Sequence, residues 1–350
     1  MKVMHVLNSR IYSGAEKVVC QIIHSFADTE VEMVYCSPES EIVARMLAEQ
    51  GVTYLPVSKL TPRELSRVIR EQKPDLIHAH DMRAGFVSAL CCGKIPLISH
   101  IHNNAYNSRG ISPKSVAYLL AGFKARHILW VSNSSYEGYA FHKLFAKKSS
   151  VLYNIIDTEQ IFAKKAQDPN TYDFDLIYVG RLTFQKDPQR LMRLCARLKQ
   201  SRPNLKAAIV GTGELEQETK TLCRELGLEE NVLFLGFQDN PIKMVADSKA
   251  LVLTSRWEGT PMCALEAMAL GTPVVSTPSD GMVDLLEDGV SGYLSEDDEV
   301  LERDLLKLFD DPVCRETLAE NARRHFLEIN DAPKYRQAIW DCYRQGMETV

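Results

Sequence analysis

Short apolar runs alternating with amphipathic stretches of helical length recur along this chain, and they recur as two successive series. The first runs Lys2–Leu7, Ala15–Phe26, Val31–Cys36, Glu41–Gln50 and Thr53–Val57. It continues through Pro62–Glu71, Leu76–Ala79, Met82–Leu90 and Pro96–Ile101, with further strand-like runs at His127–Val131 and Val151–Tyr153. Strictly alternating strands and helices imply crossover connections, hence parallel sheets. The polar segment Ala163–Asp173, with its Pro-Asn turn, interrupts the pattern and reads as a linker. The series then restarts with strands at Leu176–Val179, Lys206–Val210, Val232–Leu235, Ala250–Leu253 and Pro273–Ser276. Helical runs Pro188–Gln200, Leu215–Glu225, Ile242–Ala246 and Cys263–Ala269 separate them, and Glu296–Arg303, Pro312–Phe326 and Lys334–Met347 supply three more. The pattern predicts an α/β protein of two doubly wound parallel-sheet domains, 1–165 and 166–332, with 333–350 as a last helix crossing back to the first. With 350 residues, each domain is large enough to bury its own core.

Composition removes several function classes. A net charge of −5 lacks the basic excess of a dedicated nucleic-acid binder. Hydrophobic residues at 45% and charged residues at 25% exclude disorder as the main state. Nine cysteines, without a C-x-x-C pair, suggest neither a disulfide framework nor a zinc knuckle and fit a reducing cytoplasm. No run reaches the length of a membrane span, and Met1–Asn8 reads as a buried strand, not a signal peptide.

Doubly wound domains bind ligands beyond the carboxyl ends of their strands, so the strand-to-helix turns carry the chemistry. The turn Ser9–Lys17 opens a helix at Gly14, a start that attracts anions, although a plain turn needing glycine's freedom explains it equally well. His100 and His102 alternate at a strand end, so both point to one face, with Asn103 and Asn104 following. Two imidazoles alone cannot make a zinc site, and no third ligand is evident nearby. In Val179–Pro188, Arg181 and Lys186 precede a Pro-started helix, an arrangement suited to a diphosphate or, more blandly, a solvated basic turn. Gly211-Thr212-Gly213 says only that backbone passes close to something. In the fifth turn, Pro261 is placed to start a helix whose mouth exposes the N–H groups of Thr260, Met262 and Cys263 to an anion. Glu258 before that helix and Glu266 inside it can flank one ligand and accept hydrogen bonds from sugar hydroxyls; charging the helix start is their bland alternative.

The order and spacing of Ser13-Gly14-Ala15-Glu16, Gly180-Arg181…Lys186-Asp187, Glu258…Glu266 and Ser279-Asp280-Gly281 resemble glycosyltransferase family 4 over nearly the whole length. The run His100-Ile101-His102-Asn103 is similar to the form found in its bacterial capsule and exopolysaccharide members. The resemblance implies the GT-B architecture, two Rossmann-like domains facing across a cleft, and retaining transfer from a nucleotide-diphosphate sugar. It implies that Arg181 and Lys186 hold the donor diphosphate, Glu266 binds the ribose, Glu258 contacts the transferred sugar, and His102 lies under it. Gly14 would line the phosphate or acceptor side. It further implies no cofactor and metal independence, with side-chain cations and helix dipoles stabilising the leaving diphosphate. A UDP-sugar is expected over a GDP-sugar on family grounds. Ser13 and Ile155 stand where glycines are common in the family, and Thr260-Pro261-Met262 replaces an aromatic-containing loop, leaving the donor sugar open.

Between Arg109 and Ser150 seven Lys/Arg face one acidic residue, Glu137, and Tyr118, Leu119, Leu120, Phe123, Phe141, Leu144 and Phe145 interleave with them. Such a surface suits an anionic membrane leaflet or a polyprenyl-diphosphate-linked acceptor, while ordinary amphipathic helices remain the alternative. The reading is thus a transferase building a surface polysaccharide on a glycan or lipid-linked acceptor, cytoplasmic and peripheral to the membrane. A catalytically silent nucleotide-sugar-binding subunit or a GT-B epimerase are its rivals.

Overall fold

The computed structural model describes residues 1–102 and 108–348. It divides into two compact units, Met1–Ile155 with Asp331–Val350, and Ile156–Asn330.

The first unit holds strands β1 (Lys2–Val6), β2 (Glu32–Pro38), β3 (Tyr54–Val57), β4 (Leu76–Ala79), β5 (Leu97–Ile101), β6 (His127–Trp130) and β7 (Ser149–Val151). They form one sheet in the order β3-β2-β1-β4-β5-β6-β7, with every pairing parallel. The strand order turns back at β1, between β2 and β4, the position where doubly wound sheets open a crevice. Alternation along each strand splits the core. Met4, Val6, Ile77 and Ile101 pack with Tyr118, Trp130 and Phe145 on one face, and Leu7 and Tyr35 pack with Val19 and Leu47 on the other. Side chains that accept backbone N–H groups start the intervening helices: Thr61 caps Pro62–Gln72, and Asp81 caps Met82–Cys91 by accepting from Ala84 N at 2.7 Å. The last helix, Ala332–Glu348, belongs to this unit: Tyr343 meets His78 at 2.7 Å and Arg336 pairs with Asp28 at 2.9 Å.

The second unit holds β8 (Leu176–Val179), β9 (Ala207–Val210), β10 (Val232–Gly236), β11 (Ala250–Leu253), β12 (Val274–Ser276) and β13 (Tyr293–Leu294). Their order is β10-β9-β8-β11-β12-β13, again parallel throughout. Asn330 ties its two ends together, accepting from Ile156 N at 2.8 Å and donating to Ile156 O at 3.1 Å.

The units part at Ile155/Ile156, ten residues before the boundary suggested by the polar segment. The reason is local: Ala163–Gln167, rich in good helix formers, completes the helix Thr158–Gln167, which Asp157 caps. Only the remainder is turn, pinned by Asp168 accepting from Asn170 N at 3.0 Å. Among the described residues, no helix is long and apolar enough to cross a membrane.

Candidate functional site

In the second unit the turns after β8, β9, β11 and β12 are laced together by backbone. Leu182 N donates to Thr212 O, and Leu215 N donates to Leu182 O, both at 2.9 Å. A Cβ on Gly211, whose φ is +134°, would lie 1.9 Å from Gly180 O, and one on Gly213 2.3 Å from Leu182 O. What the Gly-x-Gly turn approaches is therefore the neighbouring loop that carries Arg181. A Cβ on Gly281 would lie 1.3 Å from Gly259 O, which sets the turn after β12 against the turn that precedes Pro261.

On this scaffold Lys186 forms an ion pair with Glu258, and Ser255 Oγ donates to the same Glu258 oxygen at 2.5 Å. The pair is nearly dry, with side-chain exposures of 12% and 5%. Gln185 closes the loops by donating to Trp257 O at 2.9 Å and accepting on its own carbonyl from Arg256 N at 2.8 Å. Asp187, at φ 47°, starts the Pro188–Ser201 helix and pairs with Arg256 at 2.6 Å. Arg181 contacts Gln185 Oε1 at 3.4 Å.

Pro261 is the N-cap of the helix Met262–Leu270, and no side chain caps it. Thr260 and Cys263 both interact with neighbouring groups. Glu266 is buried in that helix. The sequence reading missed Ser255 and Gln185, which fix Glu258 and the loop, and the buried hydroxyl of Thr183, which lacks a hydrogen-bond partner, as does Ser279 of the Ser279-Asp280-Gly281 turn. Nothing in a lone loop serine or threonine signals such a role.

In the first unit Gly14 opens the helix Gly14–Ser25, but the buried carboxylate of Glu16 accepts from both Ser13 N and Ser13 Oγ at 2.9 Å. That capping box takes the Ser13 N–H that an anion would otherwise meet. Burial pushes the Glu16 carboxyl above its usual range.

His100 and His102 are not an isolated pair. The parallel register sets His5 opposite His78 and His78 opposite Ile98, so strand alternation brings five imidazoles to one face at the ends of β1, β4 and β5. His5 Nδ1 lies 2.8 Å from His80 Nε2, and His80 Nδ1 lies 2.9 Å from His102 Nε2. The expectation that no third imidazole is near His100 and His102 is corrected: His80 sits beside both, and His5 and His78 sit beside His80. Nineteen or more residues of intervening chain hide this, although the alternation His78-Ala79-His80 is a readable signal. Burial keeps all five neutral, lowering His5 and His102 to about 3 and the others well below the usual histidine range. Asn103 and Asn104 lie outside the described residues.

A cavity of about 850 Å³ opens in the same unit, lined by Arg10, Lys59, Arg83 and Lys114 with Met82 and Phe86. Nearby, the basic segment divides: Tyr118 and Phe145 are core and Leu119 and Phe141 pack against it, while Leu120, Phe123 and Leu144 stand 41%, 65% and 62% exposed.

Two doubly wound parallel-sheet units, with charged side chains gathered at strand ends, define the GT-B class of glycosyltransferase architecture. The model described as "Glycosyltransferase Family 4" matches residues 12–160 and that described as "Glycosyl transferases group 1" matches residues 159–325, and the chain belongs to this family. It is 30% identical over 235 residues to an uncharacterized glycosyltransferase of Methanocaldococcus jannaschii, covering 61% of this chain and 58% of that one. It is 39% identical over 153 residues, 43% of this chain and 41% of the other, to the N-acetylgalactosamine-N,N'-diacetylbacillosaminyl-diphospho-undecaprenol 4-alpha-N-acetylgalactosaminyltransferase of Campylobacter jejuni. The matches thus span little more than half, and less than half, of those two relatives. In fold it is similar to the crystal structure of Anabaena HepE in complex with UDP-glucose, with a TM-score of 0.86, 23% identity, and coverage of 98% of this chain and 99% of that one.

Proposed function

We propose that this chain is a retaining glycosyltransferase of surface-polysaccharide synthesis, moving a sugar from a UDP-sugar to a glycan or polyprenyl-linked acceptor. The observation that carries the reading is the desolvated Lys186–Glu258 pair, held by Ser255 near Arg181 and followed by a helix start without a side-chain cap. Arg181, Lys186 and the Met262 end of that helix take the diphosphate. Glu266 accepts from the ribose hydroxyls, Glu258 and His102 act at the transferred sugar, and Thr260, Pro261, Met262 and Cys263 shape the pocket around it. As the bond to the anomeric carbon breaks, negative charge grows on the leaving phosphate oxygen, where fixed cations and N–H dipoles in a dry site stabilise it. The acceptor hydroxyl then attacks from the face the diphosphate has left, and its proton passes to the leaving phosphate oxygen on that face. In this mechanism the protein's own cations stand where a divalent ion would, so the reaction needs no metal. Gly14 lines the phosphate or acceptor side, and the cationic and apolar cavity lining suits a phosphate-bearing lipid-linked acceptor.

A thermal-shift panel of nucleoside diphosphates and their sugars, with and without EDTA, tests the donor site. UDP-ligands at 100 times Kd should add about 2.7 kcal/mol, unchanged by EDTA and lost in Glu266→Ala. No stabilisation by any nucleotide would remove the reading.

The exposed Phe123 and Leu144 among Lys124, Lys143 and Lys147 suit contact with an anionic leaflet. The protein should sediment with phosphatidylglycerol vesicles at low salt, and Phe123→Asp/Leu144→Asp should remain in the supernatant. Equal sedimentation of the two proteins would sink the membrane assignment.

A further inference from the structure

His5, His80 and His102 form an unbranched hydrogen-bonded chain across β1, β4 and β5, and beyond its far end Met33 Sδ lies 3.4 Å from His5 Nε2. Each ring is neutral, so each has one N–H and one lone pair. A thioether sulfur only accepts, and this sets the direction of the whole chain. The His5 proton sits on Nε2, facing sulfur, and its Nδ1 lone pair takes the N–H of His80 Nε2. The lone pair left on His80 Nδ1 takes the N–H of His102 Nε2.

We propose that Met33, His5 and His80 are positioning residues that lock His102 as its Nε2–H tautomer, leaving Nδ1 as a lone pair that accepts from a hydroxyl of the transferred sugar. The opposite direction would set the His5 Nε2 lone pair against those of sulfur and make His102 Nδ1 a donor. His102 is the one residue of the five that is only half-buried, and its Nδ1 is a buried atom with no partner among the described residues. The lock discriminates because a site offering only a lone pair rejects a sugar that presents no donor there. The proposal rests on the placement of the transferred sugar at His102.

The ring nitrogens of His5, His78 and His80, and of His80, His100 and His102, are also close enough to share a metal ion. His80 belongs to both groups, and each of its nitrogens already holds a hydrogen bond, so an ion would have to displace one. The geometry favours the locked chain.

Nitrogen NMR of ¹⁵N-histidine-labelled protein tests it, comparing wild type with Met33→Leu, a near-isosteric change that removes only the acceptor. In wild type, His5 and His102 should both be protonated on Nε2. In Met33→Leu, a substantial share of His102 should carry its proton on Nδ1. The Kd of the UDP-sugar selected by the thermal-shift panel should then rise about five- to tenfold, while that of UDP stays within about twofold. Wild-type His102 protonated on Nδ1, unchanged tautomers in the variant, or a metal on His80 and His102 in the protein as purified would each overturn the lock. The expected tautomers with no UDP-sugar binding by wild type would instead overturn the placement of the sugar, and with it the role given to Nδ1.

Discussion

Lys186→Ala is expected to lower kcat on the order of 10²–10³-fold, the loss typical when a preorganised group facing developing negative charge is removed. The same change should destabilise the second unit by about 3–5 kcal/mol, because it leaves Glu258 without its partner in a nearly dry setting. The two losses separate in Lys186→Met/Glu258→Gln. That pair has no charge to strand and Ser255 can still donate to the amide oxygen, so urea melts should recover most of the stability while transfer stays lost. Recovery of transfer with stability would make the ion pair a structural element only.

Acidification should unfold the first unit steeply. The five clustered histidines titrate near 6.5 when exposed but are held far lower in the fold, His5 and His102 at about 3. Because the folded pKa is depressed, their stabilising contribution is fully present above about pH 6.5 and falls as pH drops toward 3, where only the unfolded chain takes up protons. Each ring contributes a slope of about 1.4 kcal/mol per pH unit in that window. His100 makes no hydrogen bond through either ring nitrogen, so His100→Leu removes a proton site without breaking a hydrogen bond. Its denaturant stability from pH 7 to pH 4.5 should fall less steeply than that of wild type, by about 1.4 kcal/mol per pH unit. Parallel curves would show that His100 takes up a proton in the folded state.

The strands were legible because buried parallel strands read as unbroken apolar runs, and Leu176–Val179, Ala207–Val210 and Ala250–Leu253 fall within a residue of their expected limits. The helix Thr158–Gln167 was not, since Lys164 and Lys165 lend a linker's polarity to a good helical segment. For the candidate site, residue types were legible and partnerships were not. Lys186 and Glu258 both stood out, but nothing in a separation of 72 residues says that they touch. The histidines show the same limit. Alternation shows that His100 and His102 share a face, whereas the arrival of His5, His78 and His80 depends on strand order, which no local pattern encodes.

The glycines at 211, 213 and 281 have a consequence for redesign. Main chain rests on main chain at all three, so within each pair of turns the spacing is set by backbone contact, after β8 with β9 and after β11 with β12. A mutational library aimed at a new sugar should therefore hold these three positions fixed while varying side chains elsewhere in the turns. The same library allowed to vary the three glycines would yield mostly inactive protein.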